Sequence, residues 1–221
     1  MEPFPNLLFA TVVSTKDPDK LARVQVEVHG FGQKLMLPWL RTLQGLAGKE
    51  HGTLVLPEEG DEVVVLCGAG READGMIVLG GVYNSETKPK QSNDDGKNAL
   101  KQVLTKGGHR ITLDDTKGEE LIEVIAAKEK ISLKMQVKEG ILSIEADKEI
   151  KVVSAAKITV EAEDTVTVKA AKKLIIEAKE VMVKATGKCE VTGGDVTVSG
   201  DNVTVDGSSK VDIKGSAINL G

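Results

Sequence analysis

The chain has 221 residues, of which 40% are apolar but only 2% aromatic, and carries a formal net charge of −5. Cores usually take their bulk from Phe, Tyr and Trp, so this interior must be narrow or built from Val, Ile, Leu and Ala. The mild acidity argues against a nucleic-acid binder, which normally shows a basic patch, and no apolar run reaches the ~18 residues of a spanning helix.

The N-terminal stretch MEPFPNLLFATVV has neither a basic region nor a clear cleavage site. The expectation is a protein made and folded in the cytoplasm. Up to Gly81 the chain reads as short strands set between Gly and Pro. LLFATVVS, ARVQVEVHG, GDEVVVLCG and GMIVLGGVY are rich in β-branched residues and bounded by turn formers. Val24 to Val28 alternates cleanly, one face in and one face out. Such strands predict a small closed barrel over residues 1–84. The polar stretch NSETKPKQSNDDGKN then reads as a linker, residues 85–100. Residues 101–130 follow as a neck, with strands near Arg110–Leu113 and Glu120–Ile125 joined by the turn signal DDTKGE.

From about Ile131 to the end, residues 131–221, one phrase recurs: apolar, any, apolar, any, small. It begins at Leu142/Ile144/Ala146 and continues at Ile150/Val152/Ser154, Ile158/Val160/Ala162, Val166/Val168/Ala170, Leu174/Ile176/Ala178 and Val181/Val183/Ala185. Cys189/Val191/Gly193, Val196/Val198/Gly200, Val203/Val205/Gly207 and Val211/Ile213/Gly215 follow, with a last partial unit at Ile218/Leu220. A period of 8 or 7 residues this regular marks a repeat architecture.

Residues two apart point to one face of a strand. The small residue two further on lies where the chain turns a corner, with little room for a Cβ. Lys, Glu, Thr and Asp between them face water. Each unit is then one short strand and a bend, and repeated bends build a triangular prism. Three chains wound about one axis pair both edges of every strand and leave no long free edge. Each unit would advance the axis by about one strand spacing, ~4.8 Å. The alternative is a single-chain β-solenoid acting as a scaffold or filament. A carbohydrate-binding β-helix would want aromatic platforms, and the repeats hold none.

At this point the chain resembles the central spikes of contractile injection machines: phage tail spikes, the valine–glycine repeat (VgrG) proteins of type VI secretion, and spikes of extracellular contractile injection systems. Residues 37–84 carry the resemblance most strongly, through Trp39, Pro57, Gly60, Asp61, Glu62, Val63, Gly80, Val82, Tyr83 and Asn84. Residues 107–127 resemble the neck of that family and the repeats its needle. The resemblance implies an all-β chain: an OB-fold barrel, a neck and an intertwined trimeric β-helix. The trimer core would be Ile150, Val152, Ile158, Val160, Val166, Val168, Leu174, Ile176, Val181, Val183, Val196, Val198, Val203, Val205, Val211 and Ile213.

The same resemblance implies a homotrimeric, non-enzymatic baseplate component, assembled in the cytoplasm or released with the particle, that pierces a target cell envelope. It implies a separate hub protein at the barrel, since the VgrG hub region has no counterpart here. It implies a PAAR-type tip protein at the other end, seated on Ile218, Asn219, Leu220 and Gly221. The histidine-bearing iron tip of some short phage spikes has no counterpart, since no His follows His109.

No other residues form a chemical site. His29, His51 and His109 lack metal-ligand spacing. Glu58, Glu59, Asp61 and Glu62 read as a solvated turn without an adjoining nucleophile, and Asp114–Asp115 as turn formers. GAG at Gly68–Gly70 is not followed by a helix start and is no phosphate cradle. Cys67 and Cys189 read as two buried thiols. No cofactor, metal or nucleic acid is expected.

Overall fold

The computed structural model describes residues 7–30, 33–68 and 75–219. It is all-β apart from single 3-10 turns, and it divides into two units, Met1–Val152 and Val153–Gly221.

The first unit opens with the four expected strands. β1 (Leu7–Ser14), β2 (Gln25–Gly30), β7 (Glu62–Cys67) and β8 (Met76–Gly81) fall on the four β-branched runs. β3 (Gln33–Met36) and β4 (Arg41–Thr42) complete a sheet of order β3-β2-β1-β7-β8-β4. β4 runs parallel to β8. The sheet curls shut because Leu40, just before β4, exchanges both backbone hydrogen bonds with Val24, just before β2, at 2.8 and 2.9 Å. Closure leaves an interior of Leu8, Ala10, Val12, Val24, Val26, Val28, Leu37, Leu40, Val63, Val65, Cys67, Met76 and Val78. Among the described residues no aromatic enters it: Trp39 is half-buried, and Phe9 and Tyr83 are exposed. Val65→Ala removes two methylenes from this core and should destabilise the barrel by roughly 2 kcal/mol. Denaturant unfolding followed by Trp39 fluorescence reads this directly, since the chain has one tryptophan and it belongs to the barrel.

The motif residues prove to be stitches. Val12 N–H donates to the Asp61 carbonyl (2.9 Å) and Gly60 N–H to the Val12 carbonyl (2.8 Å), tying the PEEGDE turn to β1. The Asp61 carboxylate accepts from Glu58 N–H at 2.8 Å. Asn84 donates to the Glu62 carboxylate at 2.7 Å and accepts from the N–H of Glu86 and Thr87, closing the start of β7 against the end of β8. In the β1–β2 connection the Asp17 carboxylate accepts from three backbone N–H groups and from the Arg23 guanidinium. That guanidinium, with the backbone donors, holds the Asp17 carboxyl far below the usual carboxylate range.

Two small elements were not legible in the sequence: β5 (Ala47–Gly48) and β6 (His51–Gly52) pair as a hairpin within the loop after Trp39. Residues 85–99 form no strand and are held by Asx-type turns, such as Asn93 Oδ1 accepting from Asn98 N–H. Beyond them lies a five-stranded antiparallel meander: β9 (Leu100–Leu104), β10 (Arg110–Asp114), β11 (Leu121–Ile125), β12 (Ile131–Gln136) and β13 (Ile141–Ala146). The expected hairpin is β10–β11. The sheet extends further than the hairpin on both sides, so the stretch from Ile131 to Ala146 pairs within its own chain. The reason is local: Val137–Gly140 forms a tight turn, with Gly140 N–H donating to the Val137 carbonyl, that folds β13 back on β12.

Candidate assembly surface

The second unit begins where in-chain pairing ends. The last backbone–backbone hydrogen bond among the described residues runs from Asp147 N–H to the Lys130 carbonyl. Beyond it residues 149–219 form no strand, and every one is exposed. The segment is nonetheless regular. Bends fall at residues 155–156, 163–164, 171–172, 179, 186–187, 194–195, 201–202, 208–209 and 216, each just after the small residue of a repeat unit. The sequence reading of straight phrases separated by corners is therefore visible in the backbone.

The apolar positions show the same period. In the unit Val166/Val168 the first side chain is 55% and the second 68% exposed, and Val203/Val205 repeats this at 54% and 74%. The first position is the more covered because the preceding corner packs against it. A Cβ built on Gly200 would come within 3.8 Å of Val203 Cγ2, ordinary van der Waals contact. At Gly207 the approach is tighter: a Cβ would meet the Lys210 carbonyl at 2.8 Å and Val211 Cγ2 at 2.9 Å. Gly207→Ala should therefore lower the melting temperature of the assembled protein, whereas Gly200→Ala should leave it within a degree or two. Differential scanning calorimetry of the two variants compares them.

Each of the sixteen expected core positions from Ile150 to Ile213 lies on this exposed repeat, and none is covered by its own chain. An extended backbone with unpaired N–H and C=O groups and a row of exposed Val and Ile is an incomplete structure. Cys189 occupies a first apolar position and is likewise exposed, against the expectation of a buried thiol, because its own chain supplies nothing to cover it. Cys67 is buried as expected, and burial pushes its thiol pKa up. Of the expected tip residues, Ile218 and Asn219 are exposed, while Leu220 and Gly221 lie outside the described residues.

The five-stranded sheet of the first unit has an inverted look. Its polar face closes on itself. Arg110 Nε donates to Glu123 at 3.1 Å and Arg110 Nη1 to Glu129 at 3.0 Å, while Gln102 donates to Thr112 at 3.2 Å. Thr112, Glu123 and Ser132 are buried there. The opposite face carries two apolar rows set by register: Val103–Ile111–Val124–Leu133–Ile144, and Leu113–Ile122–Met135–Leu142. Val124 is 44% and Ile144 58% exposed.

His51 Nδ1 lies 2.9 Å from the Lys49 carbonyl, and His109 Nδ1 accepts from Ala127 N–H, so both serve turns. The side chain of His29 and the segment 69–74, which includes Ala69 and Gly70, lie outside the described residues. Among the described residues no group of three His, Cys, Asp or Glu could hold a metal ion.

Comparison with known proteins adds a match to the barrel and a similarity to three spike proteins. Residues 8–83 match the family model of the type VI secretion system/phage-baseplate injector OB domain. The chain is similar to three type VI secretion system spike proteins of Pseudomonas aeruginosa. VgrG1b is 31% identical over 121 residues, 50% of this chain and 16% of the relative. VgrG1a is 30% identical over 126 residues, 52% and 19% respectively. VgrG4b is 30% identical over 120 residues, 50% and 15%. The chain thus spans less than a fifth of the length of the curated relatives it matches.

Proposed function

We propose, from the match of residues 8–83 to the injector OB domain and the similarity to VgrG spike proteins, that the chain is the central spike of a contractile injection machine. Three copies wind residues from about Ile150 onward into one triangular β-helix. The assembly acts mechanically and catalyses nothing: sheath contraction drives a stiff needle through a target cell envelope. The barrel anchors the needle to a separate hub protein, and the ends of the three chains, at Ile218 and Asn219, carry a PAAR-type tip protein. The spike assembles in the cytoplasm on the baseplate of a phage tail-like particle.

The observation that carries this reading is a barrel matching the injector OB domain in one chain with a regularly bent repeat that makes no backbone–backbone hydrogen bond of its own among the described residues. Intertwining supports every strand on both edges, which is how an extended repeat of this kind becomes rigid. The single-chain solenoid has less support. It would bond unit to unit within one chain, and no such bond exists among the described residues beyond Asp147. Light scattering on the purified protein tests the proposal. A discrete species at three times 23.5 kDa is the expected result; a stable monomer would overturn it.

A further inference from the structure

The apolar face of the five-stranded sheet has no role in the barrel and none in the repeat shaft, yet it holds two rows of side chains that are largely exposed. We propose that this face is the site where three copies of the chain first meet, and that the shaft zips afterwards from that point. The inference rests on the trimeric reading above and adds an order of events to it.

The sheet is finished within one chain: all five strands are paired, and its polar face is closed by its own side chains. The repeat beyond Asp147 has no in-chain backbone partner and cannot hold its form before other copies arrive. Formed sheets must therefore exist before a formed shaft does. The occupant, too, is written in the sequence phase. Leu142, Ile144 and Ala146 of β13 are the first instance of the phrase that every later unit repeats. Whatever covers those residues must match the repeat's own spacing, and another copy of the chain does so by construction.

The size also fits. Five strands at ~4.8 Å and five residues at ~3.4 Å give a face of roughly 400 Å². Three copies together present roughly 1,200 Å², the lower end of the ~1,200–2,000 Å² of specific interfaces. A surface of that size supports a meeting point, while the shaft supplies the permanence.

The test uses the fragment 1–147 beside the full chain. The fragment keeps the barrel core, the whole sheet and the last backbone–backbone hydrogen bond, so it contains every described strand pairing of one copy. Sedimentation equilibrium should find it as a trimer, with Val124→Asp reducing the mass threefold to one chain at unchanged circular dichroism. Glu145→Gln, on the polar face opposite Ser132, should leave the trimer intact. A fragment that stays monomeric where the full chain is trimeric overturns this inference and spares the spike reading. So would a Val124→Asp fragment that remains a trimer. A monomeric full chain would overturn both.

Discussion

Val168→Asp should abolish the proposed trimer at neutral pH. Val168 is the second apolar residue of its unit, where the chain itself gives least cover: it is 68% exposed in one copy. In the proposed prism the three Val168 side chains converge on one axial layer. Aspartate there puts three carboxylates together in an apolar environment. Each uncompensated buried charge costs on the order of 3–5 kcal/mol, and like charges repel further. Only Val166 is then left per chain in that unit, and at ~1.5–3 kcal/mol each the three remaining valines do not offset three such charges.

The effect has a sign in pH. Burial and mutual repulsion raise the pKa of the introduced carboxyl above its unfolded value of about 4. The neutral acid is tolerated, so trimer should reappear as pH falls below the raised value and be lost as pH climbs through it. Light scattering across pH 4–8 reads the recovery. Lys169→Glu, one residue on and facing outward, should keep the trimer mass throughout. A normal trimer at pH 8 in Val168→Asp, or loss of trimer in Lys169→Glu, would invert the assignment of inner and outer faces.

Much of this molecule was legible in the sequence because its pattern is strict. β1 falls on the LLFATVVS run, and the corners of the repeat recur after Ala146, Ala162, Ala170, Gly193 and Gly200. Alternation reports a side chain's face, and the small residue reports a bend, without any reference to tertiary structure. β3, β4 and the β5–β6 hairpin were missed because two- to four-residue strands carry too few alternations to stand out from a Gly-rich loop. β13 was merged with the repeat because its side chains open the phrase, and β12 because its apolar alternation runs into it. Only the turn at Gly140 makes them fold back in their own chain. The stitching role of Asp61, Glu62 and Asn84 was visible only as a motif. Their hydrogen bonds join residues up to 22 apart in Asn84 to Glu62, and further still in Val12 to Asp61, and no local pattern announces such partners. The aliphatic character of the described core, by contrast, followed from composition alone.

Arg110→Ala should destabilise the five-stranded sheet by about 3 kcal/mol. The Glu123 side chain is 10% exposed and its partner Arg110 25% exposed. The guanidinium also reaches Glu129, and these two carboxylates, Glu129 first, raise the already high pKa of Arg110. Removing it leaves Glu123 buried without its cation, beside Thr112 and Ser132. Replacing both partners is a different experiment. Arg110→Met with Glu123→Leu removes the charge together with its counter-charge and fills similar volume, so stability should return to within about 1 kcal/mol of the parent. Hydrogen exchange at the β10–β11 amides measures both variants without interference from the barrel. The double variant also isolates what the pair does beyond stability. The polar face would then lose its Arg110–Glu123 pair but keep Gln102, Thr112, Ser132 and Glu145, so it would contrast less with the apolar face without becoming like it. If the ion pair serves to mark one face as closed, the double variant should fold but associate without fixed stoichiometry. A double variant that is stable and strictly trimeric would confine the pair to holding the sheet together.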